Sequence, residues 1–536
     1  MTSPRETEPG PPTLPLLVTA ALSGAAVMCI ELSAVRLLAP WFGTSLPVWT
    51  NVIAVVLLGL SIGYLFGARA SLGERPARTL ALVLGVGAAA TAWLPFLAGP
   101  VAELFLPDEL DLEAAASIFG WGSLATSLVL FLPGAAVLGC VGPLVVELLG
   151  RTGLHAGEAG GRVLFASTLG SLVGVFGTSH WAVPTLGLRG TLLAAALCLV
   201  VGLVLVLAAA RPGARTAAPL VLALLGGLAT PEARALPEGS RLLAQAESPY
   251  QRVRVVQADD VRFLAVNEST NSYQSVWQAE PGLLGGDYYY NDFALPAAWT
   301  ALDEPARGAW SVLCLGMGAG TARRVLDGTL PAGWDLDFHG VELDPEVLRL
   351  GRELLDLDER PGDLLLGGLD ARGALRGLTG PYDQVIVDAY ANQVELPAHL
   401  VTVEFFAEVR ARLTVGGWCQ VNVGGSDTRD PLVQAVMGSM ARGLDAAVLC
   451  QRVPGTRNLV LTARREARPP LPTLPRWLEL PGPLRDLLRG RQVRGQWELW
   501  EADGPVDLLL TDDRAPVEEL QARSLAHSRA KRESSP

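Results

Sequence analysis

Three glycines, Gly316, Gly318 and Gly320, form a tight turn that can bring a ligand against the backbone. They follow the apolar run Val312–Leu315, which predicts a buried parallel strand, and Thr321–Leu326 after them has the period of a helix. Because glycine has no Cβ, such a turn lets a ligand approach the main chain closely. A strand, a glycine turn and a helix in this order are typical of nucleotide- and nucleoside-binding α/β proteins.

Acidic residues end the apolar runs that follow this turn. Glu342 closes the second run, and a carboxylate there can accept hydrogen bonds from two ribose hydroxyls. Asp370 and Asp388 end two further runs, and the carboxyl ends of parallel strands meet at one edge of a sheet. A dinucleotide site would need a third glycine where the chain has Thr321. The pattern therefore favours an adenosyl-sulfonium ligand, which carries no phosphate.

Asp388 is the strongest candidate for catalysis, because it follows the uninterrupted apolar strand Val385–Val387. A carboxylate there can take a proton from an attacking ammonium group and so restore the lone pair that a primary amine needs to displace a sulfonium. The alternative is that Asp388 caps a helix. Three consecutive tyrosines, Tyr288–Tyr290, cannot all face one core, and aromatic faces suit an alkylammonium chain.

Seven short motifs match one family. They are SPYQRVRV (Ser248–Val255), YYYND (Tyr288–Asp292), LGMGAG (Leu315–Gly320), VELD (Val341–Asp344), LDAR (Leu369–Arg372), YDQVIVDAY (Tyr382–Tyr390) and LLTDDRAPVE (Leu509–Glu518). On these motifs, residues 248 to about 463 resemble the spermidine synthase (polyamine aminopropyltransferase) family. The whole chain resembles a bacterial form of that family fused to an N-terminal multi-span membrane domain.

The resemblance implies a fold, a reaction and a set of site residues. The fold is a methyltransferase-like, doubly wound α/β sheet preceded by a small β-hairpin subdomain. The reaction is transfer of the aminopropyl group of decarboxylated S-adenosylmethionine to a small amine, without a metal. The implied catalytic residues are Asp388 and Tyr290, and the implied nucleoside-binding residues are Gln251, Gly316, Gly318, Gly320, Glu342, Asp370 and Ala371.

The chain also departs from the family pattern. Family members usually have Asp at the places of Ala319 and Ala391, where carboxylates hold the two ammonium ends, and His at the place of Asn291. Glu395 or Asp292 are candidates to replace the missing carboxylates. Two alternatives stay open: an S-adenosylmethionine-dependent methyltransferase on the same fold, and a non-catalytic nucleoside or polyamine sensor coupled to the membrane.

Composition requires a membrane part. The chain has 536 residues, of which 50% are hydrophobic, and a mean hydropathy of +0.33, which is too apolar for one soluble domain. Its net charge is −12 and Lys531 is its only lysine, so no basic face for nucleic acid is evident. The six cysteines form no C-x-x-C pair, so neither a disulfide framework nor a zinc site is indicated.

Six apolar runs are long enough to span a bilayer. They are Leu14–Leu38, Val48–Ala70, Thr79–Leu104, Ile118–Leu149, Val163–Val183 and Gly190–Ala210, and the shorter run Ala217–Ala229 is ambiguous. Arginines follow the second, fourth and sixth spans, which predicts a cytoplasmic N-terminus. With six spans the α/β domain is cytoplasmic too, where adenosyl-sulfonium cofactors are made, whereas a complete seventh span would export it. Together with the family resemblance, this implies a multi-pass protein of the bacterial inner membrane. Glu31 lies inside the first span, either paired with Arg36 or available to bind an amine.

The predicted domain organisation follows these patterns. We expect a disordered N-terminus (1–12), a transmembrane domain (13–230), a linker (231–245), a β-rich subdomain (246–300), the nucleoside-binding α/β domain (301–520) and a polar tail (521–536). The expected partners are a small amine and the lipid bilayer, and a homo-oligomer stays open.

Overall fold

The computed structural model describes residues 13–42, 46–105, 114–210, 239–248, 250–266, 273–390, 396–466, 478–493, 497–500 and 508–533. The predictions for 1–12, 217–229, Ala391 and Glu395 lie outside these residues. The chain divides into two compact units, Met1–Ala235 and Leu236–Pro536, and each is described separately.

The described part of the first unit is helical, as predicted. Its helices are α1 (Thr13–Phe42), α2 (Leu46–Ser71), α3 (Pro76–Glu103), α4 (Ala114–Leu130), α5 (Leu132–Gly139), α6 (Val141–Gly150), α7 (Ala156–Gly177) and α8 (Val183–Ala210), with a π-helix at Thr178–Ala182 between the last two. Five helical stretches are long and apolar enough to cross a membrane: Thr13–Ala39, Pro47–Ser71, Pro76–Glu103, Leu132–Gly150 and Ala156–Ala209.

The last of these stretches contains both the fifth and the sixth predicted spans. Gly187 interrupts it with φ 68° and ψ 175°, which are not helical values. Before this break, Gly170 and Gly174 lie against Ala21 and Ala25, so α7 runs parallel to α1. After it, Gly202 lies against Thr19 while the Thr191 carbonyl accepts a hydrogen bond from Cys29. The second leg is therefore antiparallel to α1, and the two legs form two separate passes.

The fourth predicted span, Ile118–Leu149, is not one helix. It is divided into α4, α5 and α6, with breaks at Phe131 and Cys140. Pro133 lies in the first turn of α5, where its missing N–H costs no hydrogen bond, and this explains the first break. A run of apolar residues predicted the correct location but could not show the interruption.

The second unit begins with a four-stranded antiparallel sheet of β1 (Ser240–Glu247), β2 (Arg252–Ala258), β3 (Val261–Val266) and β4 (Ser275–Trp277), in that order. The predicted hairpin is present, and Asp259 in its turn has φ 51°. The structure differs from the predicted linker 231–245, because its last residues belong to β1, which pairs with β2.

The following sheet contains β5 (Ala309–Leu315), β6 (Asp335–Glu342), β7 (Leu364–Gly367), β8 (Tyr382–Val387), β9 (Leu413–Gly424), β10 (Val448–Arg452), β11 (Asn458–Arg464) and β12 (Trp497–Trp500). Its order is β12-β10-β11-β9-β8-β5-β6-β7. Strands β5 to β9 pair with one another in parallel, whereas the pairs β9–β11, β11–β10 and β10–β12 are antiparallel. The doubly wound α/β class is therefore confirmed, with an antiparallel extension at one edge.

The helices of this unit are α9 (Leu295–Asp303), α10 (Thr321–Thr329), α11 (Pro345–Leu354), α12 (Ala371–Gly377), α13 (Val403–Arg412), α14 (Pro431–Leu444), α15 (Gly482–Val493) and α16 (Val517–Glu533). Much of the predicted polar tail 521–536 is helical, since α16 continues to Glu533. Within it Ser524 is fully buried and donates to Asp430 at 2.5 Å.

A row of buried amide and hydroxyl groups crosses the large sheet. Gln384 on β8 donates to Phe293 O and to Gln420 Oε1 on β9, at 2.9 and 2.7 Å. Gln420 in turn donates to Asp292 O and to Thr462 on β11. Because buried polar groups are costly without partners, this row ties the 3₁₀ segment Tyr289–Ala294 to the sheet.

We expect Gln420→Ala to lower the free energy of unfolding of the unit 236–536 by about 2–4 kcal/mol, because it removes one acceptor of the buried Gln384 amide, removes the donor to Asp292 O and opens a cavity. Gln257→Ala, at a half-exposed position of β2, is the matched control and should change it by less than about 1 kcal/mol. Urea unfolding measures both, and equal losses would contradict a structural role for the row.

Candidate active site

Four parallel strands end at one edge of the large sheet, and the predicted residues lie at these ends. The order β8-β5-β6-β7 places the segments after these strands side by side. The chain moves to one side of β5 through β6 and β7 and returns to its other side through β8, so β5 and β8 form the topological switch point where such sheets bind ligands. The structure thus brings the glycine turn, Glu342, Asp370 and Asp388 to one edge.

The glycine turn is fixed by the small antiparallel sheet. Ala319 N donates to Ser275 Oγ at 2.7 Å, and Thr321 Oγ1 exchanges hydrogen bonds with the backbone of Val276. Gly318 has φ +55°, and a Cβ there would lie 2.6 Å from Ser275 Oγ. Position 318 therefore requires glycine both for its backbone conformation and for this close contact.

Glu342 ties the turn to the next strand. Its carboxylate accepts from Gly318 N and from Asp344 N, each at 3.0 Å. Burial raises the pKa of Glu342 to about 7, against the opposing effect of these backbone donors. A carboxylate held in this way is oriented before a ligand arrives, and ribose hydroxyls are donors that would favour its ionised form.

Asp388 lies beyond β8 with a donor on each oxygen. Tyr289 donates its hydroxyl to Oδ2 and Asn422 donates its amide to Oδ1, both at 2.9 Å. Burial raises the pKa of Asp388 to about 7 despite these two donors, and the charge of Glu342 raises it further. A carboxylate with such a pKa can accept a proton near neutral pH.

The predicted tyrosine is adjacent to the one that contacts Asp388. Tyr290 donates its hydroxyl to Gln274 O at 2.9 Å, and its ring stacks on Tyr289 with centroids 4.1 Å apart. Tyr289 is therefore the hydroxyl partner of Asp388, and Tyr290 supports it. Asn291, where the family usually has His, forms hydrogen bonds with the backbone of Leu284 and Gly286 and so stabilises the loop 284–286.

Asp370, predicted to contact adenine, is the N-cap of α12. Its Oδ1 accepts from Arg372 N and Gly373 N at 3.0 Å, while Oδ2 lies 2.8 Å from His399 Nε2. These partners lower the pKa of Asp370 against the effect of its partial burial. Ala371 is buried just inside the helix. An adenine amine that donates a hydrogen bond to Oδ2 has to share this oxygen with His399 or displace the His399 side chain.

Gln251 reaches the same edge through Asp344. Its amide donates to Asp344 Oδ2 at 3.2 Å, and Ser248 Oγ donates to the same oxygen at 2.7 Å. Asp344 also caps α11 by accepting from Glu346 N. Gln251 thus lies close to the strand end that carries Glu342, although its side chain is engaged within the protein.

Two positions considered for ammonium recognition are buried. The side chain of Ala319 is 3% exposed and packs with Val347 and Leu350, so a carboxylate at 319 would enter an apolar cluster. Asp292 is fully buried. Neither position therefore offers a carboxylate to a ligand in this conformation.

Sequence reasoning missed the residues that support the predicted ones. Asn422 lies on β9, Ser275 on β4 and His399 in the segment before α13, and all are distant in sequence from the groups they contact. Arg372 donates to Glu408 and Asp512 and so holds the motif LLTDDRAPVE, which contains Asp512, against α12. Only the strand order could have revealed Asn422, because β9 neighbours β8. Among the described residues no group of three or more His, Cys, Asp or Glu could hold a metal ion.

No family model and no curated protein matches the chain. A probable spermidine synthase from Corynebacterium glutamicum ATCC 13032 matches in structure at 20% identity, over 48% of this chain and 90% of that one, with a TM-score of 0.39. Spermidine synthase from Thermotoga maritima matches at 14% identity, over 42% of this chain and 72% of that one, with a TM-score of 0.31. Human methyltransferase-like protein 13 in complex with SAH matches at 19% identity, over 42% of this chain and 95% of that one, with a TM-score of 0.30. These neighbours thus include two spermidine synthases and one methyltransferase-like protein.

We expect Gly318→Ala to destabilise the second unit by about 1–3 kcal/mol more than Gly333→Ala. Both glycines have positive φ, but a Cβ at 333 meets no atom within 4 Å whereas one at 318 meets Ser275. Removing the Ser275 hydroxyl should reduce the cost of Gly318→Ala. A double-mutant cycle by urea unfolding measures this coupling, and strictly additive losses would contradict the close contact.

Proposed function

We propose that this chain is a membrane-anchored, spermidine synthase-like aminopropyltransferase that moves the aminopropyl group of decarboxylated S-adenosylmethionine to an amine. The observation that carries the proposal is Asp388, a carboxylate with a pKa of about 7 held by Tyr289 and Asn422 at the switch point of the sheet. A transfer enzyme of this type needs such a base beside a nucleoside site.

The nucleoside would use groups that the structure already orients. Glu342 would accept from the ribose hydroxyls, and the glycine turn would face the sulfonium side of the ligand. Leu343 and Leu369, beside Glu342 and Asp370, are 43% and 44% exposed. Such large apolar side chains beside the predicted ribose and adenine acids offer surfaces for a flat base, which would lose water on binding.

The proposed step begins when the acceptor ammonium gives a proton to Asp388. The neutral amine nitrogen then attacks the aminopropyl carbon attached to the sulfonium. A C–N bond forms while the C–S bond breaks, and its electron pair returns to sulfur, which gives methylthioadenosine and an alkylated ammonium product. Tyr289 and Asn422 would hold the base in place, and the stacked rings of Tyr289 and Tyr290 provide an aromatic surface for the alkyl chain.

A methyltransferase acting on S-adenosylmethionine is the second candidate, and one observation favours it. The place where the family usually carries an Asp for the aminopropyl ammonium is Ala319, which is buried among apolar residues. A carboxylated donor has no use for a further negative charge there. Turnover assays with the two donors in parallel distinguish the candidates.

We further propose that the protein is a multi-pass protein of the bacterial inner membrane with its second unit in the cytoplasm. The arginines after the second, fourth and sixth predicted spans support this orientation. The opposite directions of the two legs around Gly187 support the six-pass count over a count of five. Adenosyl-sulfonium donors made in the cytoplasm would then reach the site directly.

We expect Asp388→Asn to lower turnover by about 10²–10⁴-fold while donor binding is nearly unchanged, because the proton acceptor is lost. In the wild type, turnover should rise with pH through about 7, since Asp388 acts only when ionised. Asn422→Ala removes a donor that lowers the pKa of Asp388, so it should shift this rise to higher pH. Equal turnover in wild type and Asp388→Asn would exclude Asp388 as the base.

A further inference from the structure

Three arginine side chains at one end of the helical unit have no partner among the described residues. Arg69 lies in the last turn of α2, Arg75 is the N-cap of α3 and Arg78 lies in the first turn of α3. Their guanidinium groups form no hydrogen bond, ion pair or ring contact within the described part of the chain, and Arg69 and Arg75 are exposed. Glu74 is the one acidic residue of the segment 69–78, called here the α2–α3 turn, so this segment carries a net charge of +2.

Two other arginines near this end are neutralised. Arg151 pairs with Glu147 and Arg162 pairs with Glu158, each one helical turn away. Arg151 also donates to Gly73 O at 3.3 Å, which holds the connection between α6 and α7 beside the α2–α3 turn. Among the described residues of this end, the unpaired positive charge therefore lies on the α2–α3 turn.

An exposed apolar row of α2 leads up to Arg69. Leu58 and Leu65 are exposed and, at this spacing, lie on the same side of the helix as Arg69. The exposed Leu72 follows the last residue of α2. On the other side of the helix, Gly63 lies directly against the backbone of α5. The row that ends at Arg69 therefore faces away from the helix bundle.

Helix α3 carries a similar row that leads up to Arg78. Leu82 and Val86 follow Arg78 by four and eight residues and are exposed, whereas Leu84 and Ala88 on the other side of the helix are buried. Both helices are long and apolar enough to cross a membrane. Each row thus places apolar side chains along the apolar stretch and an arginine at its end, which is the order of acyl chain and headgroup in a phospholipid.

The chemistry of this surface matches a lipid phosphate. A guanidinium group presents paired N–H donors that fit phosphate oxygens. A soluble phosphate would satisfy the arginines but would make no use of the apolar rows. An anionic phospholipid satisfies both, and its net negative charge offsets the positive charge of the turn.

We propose that the α2–α3 turn binds the phosphate of an anionic phospholipid whose acyl chains lie along the exposed rows of α2 and α3. The observation that carries the proposal is the set of three unpartnered arginines at the ends of two exposed apolar rows. The proposal rests on the proposed membrane location of the first unit and does not depend on the reaction of the second unit.

The test is a titration of the full-length protein in detergent with dioleoyl phosphatidylglycerol or dioleoyl phosphatidylcholine, read by native mass spectrometry, since the two lipids differ only in their headgroups. We expect phosphatidylglycerol to bind at least about tenfold more tightly, because each arginine near an anionic headgroup contributes about fivefold in affinity. Arg69→Gln should weaken phosphatidylglycerol binding by about fivefold and leave phosphatidylcholine binding unchanged, which also shows that the variant is folded. Arg162→Gln removes the same charge from a paired position and should weaken phosphatidylglycerol binding by less than about twofold.

Inorganic phosphate in large excess over the lipid should not displace phosphatidylglycerol. Displacement would overturn the proposal, because the site would then bind phosphate without the acyl chains. Equal affinities for the two lipids, or equal losses in Arg69→Gln and Arg162→Gln, would overturn it by reducing the effect to overall charge. Failure of the wild type to bind either lipid would contradict the membrane location itself, and this proposal with it.

Discussion

The candidate site depends on one carboxylate that holds two backbone amides. Glu342 accepts from Gly318 in the glycine turn and from Asp344 at the start of the next helix. The turn needs glycine at 318 because its φ is positive and Ser275 lies against it. This contact connects the small antiparallel sheet, the turn and strand β6 into one rigid edge, on which the second carboxylate, Asp388, can be placed.

The two carboxylates share an electrostatic environment. Burial raises the pKa of each to about 7, and the charge of Glu342 raises that of Asp388 further. Removing water from two like charges is unfavourable, and a cationic sulfonium at the same edge would offset that cost. The same environment gives Asp388 a pKa suited to accepting a proton near neutral pH. Binding of a sulfonium donor and deprotonation of the acceptor amine would therefore be electrostatically coupled.

The sequence was sufficient for the features that depend on local pattern. Period and glycine spacing predicted β5, the turn, α10, the hairpin and the acids at the strand ends, because these follow from burial and backbone geometry within short segments. It was insufficient where distant segments meet. Adjacent tyrosines carry the same local signal, so only the fold shows that Tyr289 and not Tyr290 contacts Asp388. Asn422 and His399 join the site through strand order and loop packing. The breaks at Phe131 and Gly187 lie inside apolar runs, so mean hydropathy does not detect them.

Nucleoside binding is the claim on which the account of the second unit depends, and calorimetric titration of residues 236–536 with methylthioadenosine tests it most directly. This ligand is neutral, so its affinity reports Glu342 without a sulfonium charge. The wild type should bind more tightly at pH 8 than at pH 6, because the ionised Glu342 accepts from the ribose hydroxyls and its pKa is about 7. Glu342→Gln should weaken binding at pH 8 by about 1.5–3 kcal/mol and remove most of the pH dependence. Equal affinity of a folded Glu342→Gln variant, or no binding by the wild type, would contradict the account.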